Sequence, residues 1–190
     1  LALLGLSLLA LQGVFIARIA LMGVVDPQST SFQRSEAWRL AVEKHRIAWA
    51  QRWVDAPQIG TQLPRAVIAS EDSNFPEHFG FEWESIEKAW SRNQKAEQRA
   101  ATNPKRPPKL VGGSTITQQL AKNLFLSGER TLPRKAQEFV LTLALETLLS
   151  KPRLLEIYLN NVEWGEGLFG AQAAARHYFR SDAKNLSAEQ

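Results

Sequence analysis

The longest apolar run comes first. From Leu1 to Ala17 only Ser7 and Gln12 are polar, Arg18 interrupts, and Ile19 to Val25 is apolar again. A run of this length with one charge is long enough to cross a hydrocarbon core of roughly 30 Å at about 1.5 Å per residue. The arginine lies toward one end, where its head can snorkel to the interface. A secretory signal is the rival reading, but the block is long and no small-x-small cleavage site follows it. The pattern divides the chain into an anchor over 1–25, a juxtamembrane segment over 26–53 and a folded domain over 54–190.

Beyond the anchor, Asp26 to Ser31 is polar and carries Pro27. Glu36 to Trp53 has helical spacing, which predicts that Trp38, Val42, Trp49 and Trp53 share a face. Pro57 and Gly60 end that element. Pro64 opens a helix in its first turn, with Glu71 and Asp72 at the other end. A carboxylate there opposes the helix dipole and has no local electrostatic support. Phe81 to Gln98 reads as another helix, closed by breaks at 103–104 and 107–108. Thr115 to Leu126 follows, with Ser114 as its candidate N-cap and Ser127-Gly128 as its end. Arg134 to Leu149 is apolar except for a stripe of Lys135, Glu138, Thr142 and Glu146 at helical steps. Ser150 and Pro152 start a further helix, glycines 165, 167 and 170 form a loop, and Ala171 to Phe179 is a short helix. Ser187 to Gln190 has the form of a capping-box start with nothing after it. With Leu1 in place of a methionine, this reads as a stretch of a longer chain. No strand signal is strong, so the fold class expected is mainly α.

Composition changes little. The 190 residues suffice for one well-buried domain, and 44% hydrophobic with 22% charged residues is ordinary. Zero cysteines exclude disulfides and thiolate metal sites and leave the compartment open. The net charge of +4 is uneven: Lys88, Arg92, Lys95, Arg99, Lys105, Arg106 and Lys109 are opposed between 88 and 109 only by Glu97. Two readings stand, a solvated loop and a patch attracting anionic lipid headgroups. Nucleic acid is not expected, since neither zinc-ligand spacing nor a reading motif accompanies the charge.

Three constellations carry chemistry. In Glu71-Asp72-Ser73-Asn74-Phe75-Pro76-Glu77-His78-Phe79-Gly80, a carboxylate backed by apolar Phe75 and close to His78 has the makings of a desolvated general base; the alternative is an exposed acidic helix end. Val111-Gly112-Gly113-Ser114-Thr115-Ile116-Thr117-Gln118-Gln119-Leu120-Ala121-Lys122-Asn123 packs glycines, hydroxyls, amides and a lysine with no carboxylate. Backbone N–H groups at such a helix entry make an anion site; the alternative is a capped polar helix start. It lacks the Gly-x-x-x-x-Gly-Lys spacing of a nucleotide phosphate loop. In Arg134-Lys135-Ala136-Gln137-Glu138 the cations suit a pyrophosphate, while Glu138 suits catalysis or a divalent cation such as Mg or Mn. The alternative is an exposed basic first turn.

These runs occur in one order, followed by Lys151-x-x-Leu-Leu-Glu156-x-Tyr158-Leu-Asn160 and Ala174-Ala-x-x-Tyr178-Phe179. Together they closely resemble the peptidoglycan glycosyltransferases, glycosyltransferase family 51, over about positions 54–190. Leu154 stands where the pattern has isoleucine. The resemblance implies a mainly α, lysozyme-like domain on a membrane anchor, held at the bacterial inner membrane with the domain on its outer, periplasmic side. It implies polymerisation of lipid II into a β-1,4 glycan with inversion and release of undecaprenyl pyrophosphate. Its partners would be lipid II, the growing glycan, membrane lipids and wall-synthesis or division proteins. By motif, Glu71 is the expected base and Glu138 the second carboxylate. Asp72, Phe75, His78, Gly113, Ser114, Thr115, Gln118, Gln119, Lys122, Arg134, Lys135, Glu156, Tyr158 and Asn160 are the expected substrate-binding positions. The short linker is more like the monofunctional enzymes than the transferase half of a bifunctional penicillin-binding protein. A lysozyme-like glycan-cleaving enzyme would also place carboxylates near a sugar, but it has no pyrophosphate to grip. An inactive wall-synthesis scaffold is the third reading.

Overall fold

A computed structural model describes residues 2–102, 112–129 and 131–190. The breaks expected at 103–104 and 107–108, the cations Lys105, Arg106 and Lys109, and Val111 lie outside these residues. Helix α1 (Ala2–Leu21) has a mean hydropathy of 1.9 and is long and apolar enough to cross a membrane. Helix α2 (Ser31–Glu43) begins earlier and ends sooner than its apolar spacing predicts. Its start is a capping box, in which Thr30 accepts from the Gln33 N–H and Gln33 accepts from the Thr30 N–H. After Lys44 and the left-handed His45 (φ 50°) the chain runs extended into β1 (Ala50–Gln51). The tryptophans therefore do not share a face: Trp38 is exposed, Trp49 stacks on Phe169 at 4.6 Å, and Trp53 faces the Arg153 guanidinium at 5.7 Å.

Next come α3 (Ala56–Ile59), α4 (Gln62–Glu71), α5 (Trp83–Thr102), α6 (Ile116–Phe125), α7 (Leu132–Leu148) and α8 (Lys151–Asn161). Of the three glycines expected in a loop, Gly165 ends a short strand, β2 (Glu163–Gly165), while Gly167 lies in the turn to β3 (Leu168–Phe169) and Gly170 between β3 and α9 (Ala171–Phe179). The sheet order is β1-β3-β2, with β1 parallel and β2 antiparallel to β3. The mainly helical expectation holds; the small sheet is an addition to it.

Helix α6 is the centre of the domain and packs on α2, α7 and α8. Ile116, Leu120, Ala121 and Leu124 are fully enclosed, as are Leu141 and Leu145 of α7 and Leu154 and Ile157 of α8. Each such large aliphatic side chain contributes about 1.5–3 kcal/mol. The helix that carries the donor-rich run is thus the most strongly anchored element, which gives its N-terminus a fixed position.

Gly167 lets the chain entering β3 close on the segment that leads into β1. Its φ is +70°, and an added Cβ would lie 2.0 Å from the Ala48 carbonyl oxygen, a backbone atom. Gly167→Ala is expected to destabilise by about 3 kcal/mol or more, because both strain and clash act. The midpoint of thermal unfolding should fall by about 10 °C for a chain of this size, measurable by circular dichroism of the detergent-solubilised protein.

Candidate active site

Glu71 ends α4, and the chain then folds back through residues 72–80. Asp72 organises this return. Its Oδ2 accepts from the Ile116 N–H at 2.9 Å, and its Oδ1 lies 2.8 Å from His78 Nε2. Gly80 N–H donates to His78 Nδ1 at 3.1 Å, so Nε2 carries the proton and donates to Asp72. Thr115 Oγ1 donates to the Gly80 carbonyl at 2.7 Å. The first two motifs are therefore stitched into one unit. A carboxylate opposed by the dipole of α4 is supported by the N-terminus of α6. Phe75 is buried under this turn, with the Lys151 ammonium 4.4 Å from its ring. Asp72, Phe75 and His78 are held by the protein itself.

The N-cap of α6 is Thr115, one residue later than expected, in a capping box with Gln118. Ser114 and Gly113 are left partly open ahead of the helix. They separate two adjoining clefts. One, of about 340 Å³, is lined by Glu71, Asp72, Asn74, Lys88, Arg92 and residues 112–115 among others. The other, of about 230 Å³, is bounded by Trp90, Asn93, Gly113, Ser114, Gln118 and Lys135.

Glu71 is exposed, so Phe75 does not desolvate it as expected; the ring turns inward instead. What the fold supplies is orientation. Gln119 Nε2 donates to Glu71 Oε2 at 3.0 Å, and Tyr158 Oη donates to Gln119 Oε1 at 3.0 Å. Burial, then the negative charges of Glu71 and Asp72, push the Tyr158 phenol above its usual range, so it remains a donor. Lys122 is exposed one turn beyond Gln119 on α6.

At the other end, Glu138 is 3% exposed on α7 and is gripped by two cations. Arg134 Nη1 donates to its Oε2 at 2.9 Å, and Lys135 Nζ bonds its Oε1. Three of the four residues of the polar stripe predicted on α7 face inward, since Thr142 and Glu146 are buried like Glu138, while Lys135 stays half exposed. Glu146 accepts from Thr117 Oγ1 at 2.6 Å and from Lys151 Nζ at 2.8 Å, tying α6, α7 and α8 together directly behind the site. Among the described residues a divalent cation finds no ready cage. Both Glu138 oxygens are taken by cations, and no three His, Cys, Asp or Glu side chains cluster as ligands among the described residues.

Two expected ligand positions are engaged elsewhere. Glu156 accepts from the Ala56 N–H and from Arg153, each at 2.8 Å. Asn160, fully buried, brackets Val54 by accepting from its N–H and donating to its carbonyl, both at 2.9 Å. Their polar atoms hold the 54–56 backbone against α8. Conversely, Lys88 and Arg92, read as part of a basic stretch, stand on α5 and line the larger cleft. The signal was present: Lys88, Arg92, Lys95 and Arg99 recur at helical steps.

An exposed carboxylate thus lies on one side of the donor-rich helix entry, and on the other lies Lys135, which shares the buried Glu138 with Arg134. The chain belongs to the transglycosylase family, whose sequence model matches residues 41–190, and its domain is of the lysozyme-like helical kind. It is 47% identical over 190 residues to a protein of Paraburkholderia xenovorans, covering all of this chain and 75% of that one. A Burkholderia pseudomallei protein is 50% identical over 182 residues, 96% of this chain and 67% of its own length. One from Bordetella avium is 52% identical over 167 residues, 87% and 66% of the respective chains. All three are named biosynthetic peptidoglycan transglycosylase.

Proposed function

We propose that this chain polymerises lipid II into β-1,4-linked glycan strands, anchored by α1 in the bacterial inner membrane with its domain on the outer side. The observation that carries the reading is the placement of Glu71 on one side of Gly113 and Ser114 and of the Arg134–Lys135–Glu138 cluster on the other. Glu71 takes the proton of the acceptor 4-hydroxyl. The freed oxygen attacks the donor's C1 from the face opposite the pyrophosphate, the C1–O bond breaks, and the α linkage becomes β. The electron pair leaves with the undecaprenyl pyrophosphate. Arg134, Lys135 and the open donors around Ser114 stabilise that developing charge. Glu138 holds the two cations parallel and close, where alone they would repel. The acceptor sugar, once seated, excludes the water that the fold leaves on Glu71. Membrane lipids and wall-synthesis proteins are the partners that this activity brings to the surface of the domain.

The test is incubation of the full chain with labelled lipid II in lipid-detergent micelles, followed by lysozyme. Polymer that lysozyme returns to disaccharide units supports the reading. Cleavage of preformed glycan without polymer, or no turnover, overturns it.

A further inference from the structure

Gln119 holds three neighbours at once. Its Nε2 donates to Glu71 Oε2 at 3.0 Å and to the Ser114 carbonyl at 3.4 Å, and its Oε1 accepts from Tyr158 Oη at 3.0 Å. The carboxylate and the carbonyl can only accept, and Tyr158 is the neighbour that donates. The three together decide which end of the amide faces Glu71. Gln118 takes the other side of the same turn, its Oε1 accepting from the Thr115 N–H at 3.0 Å. The peptide unit joining Ser114 to Thr115 is therefore clamped by two consecutive glutamines, its C=O by one and its N–H by the other.

These residues differ in how firmly they are placed. Tyr158 is 3% exposed on α8, and Gln119 stands on α6 beside the fully enclosed Leu120. Glu71 is exposed at the end of α4, and the Gln119 amide is the hydrogen-bond partner of its carboxylate among the described residues. A glutamate in that position otherwise spreads over its rotamers. Both amide hydrogens of Gln119 are engaged, which leaves it no donor for a sugar hydroxyl.

We propose that Gln119 is a positioning residue for the base, a strut that sets Glu71 at a fixed distance from the Ser114 turn, with Tyr158 as the post that holds it. The inference rests on the polymerase reading above, in which Glu71 takes the acceptor's proton. Acceptor oxygen and donor C1 must approach to roughly 3–3.5 Å in line. Glu71 serves the first, the Ser114 turn serves the group leaving the second, and one amide bonds to both.

The test is steady-state polymerisation of labelled lipid II by the full chain, with kcat and KM separated and each variant read beside a thermal melt. Gln119→Ala should lower kcat by about 10–100-fold, the scale of a hydrogen bond to a charged group, with KM within about twofold. Tyr158→Phe should lower kcat by about 3–10-fold at the same KM, the scale of a neutral bond. Combined with Gln119→Ala it should cost less than about twofold more, because the post then has nothing to hold. Gln119→Glu keeps the length and the acceptor for Tyr158 but turns a like charge toward Glu71, so it should be no faster than Gln119→Ala. A rate near wild type in Gln119→Glu would show that only bulk is needed and overturn the strut. Raised KM at unchanged kcat in Gln119→Ala would overturn it too, by placing the amide on the substrate. A Tyr158→Phe loss that multiplies in full in the double variant would assign the tyrosine to packing and remove the post. Absence of turnover before any substitution removes the polymerase reading itself, and the inference with it.

Discussion

Glu71→Gln is expected to cut lipid II polymerisation by about 10²–10⁴-fold while the protein stays folded. The replacement keeps the shape of the side chain and deletes its ability to take a proton. Glu71 is exposed and its protein partner is the Gln119 amide, so stability should move by no more than about 0.5 kcal/mol. Binding of the donor should change little, because the cations that meet the pyrophosphate lie on α7. The measurement is the initial rate of polymer formation at saturating lipid II, read beside a thermal melt. A variant that melts normally and still polymerises would place the base elsewhere. A variant that loses activity together with ten degrees of stability would show that Glu71 supports the fold.

The sequence made the helices around this site legible because their signals are local. The hydroxyls at the entry to α6, the prolines at 64 and 152 and the apolar periodicity of α6, α7 and α8 each act within a few residues, although the cap itself falls on Thr115 rather than Ser114. The capping box at Thr30 and Gln33 was equally local and went unread beside the run of tryptophans, which mimics a longer helix. The sheet was not legible, since its strands are two or three residues long and β1 pairs with β3 from the far end of the chain. The part played by Asp72 was hidden for the same reason. Judged on α4 alone it is misplaced, and its support, the Ile116 N–H, is a tertiary partner. Glu156 and Asn160 show the limit most plainly. A helix carrying Glu, Tyr and Asn reads as ligand-binding, yet two of the three bracket the backbone of residues 54–56. Only Tyr158 reaches toward the cleft, through Gln119.

Glu138→Gln should lower polymerisation by about 10²–10³-fold, the scale of losing one preorganised electrostatic group, and its cause differs from that at Glu71. Glu138 is buried and both oxygens are spent on Arg134 and Lys135. Neutralising it leaves two cations side by side without their shared counter-ion, and Lys135 free to swing from its place at the cleft. Lys135 is half exposed and water screens it, so the cost in stability should be modest, about 1–2 kcal/mol, below the full penalty for breaking a buried pair. The midpoint of thermal unfolding should accordingly fall by a few degrees, roughly 2–8 °C. The sharper check is a double-mutant cycle with Arg134→Ala. If the carboxylate works by holding the arginine, the second substitution should add less than about fivefold to the loss caused by the first, because both remove one arrangement. Losses that multiply in full would mean that Glu138 acts on the substrate independently of Arg134. A rate restored by Glu138→Asp in proportion to recovered stability would assign it to the fold alone.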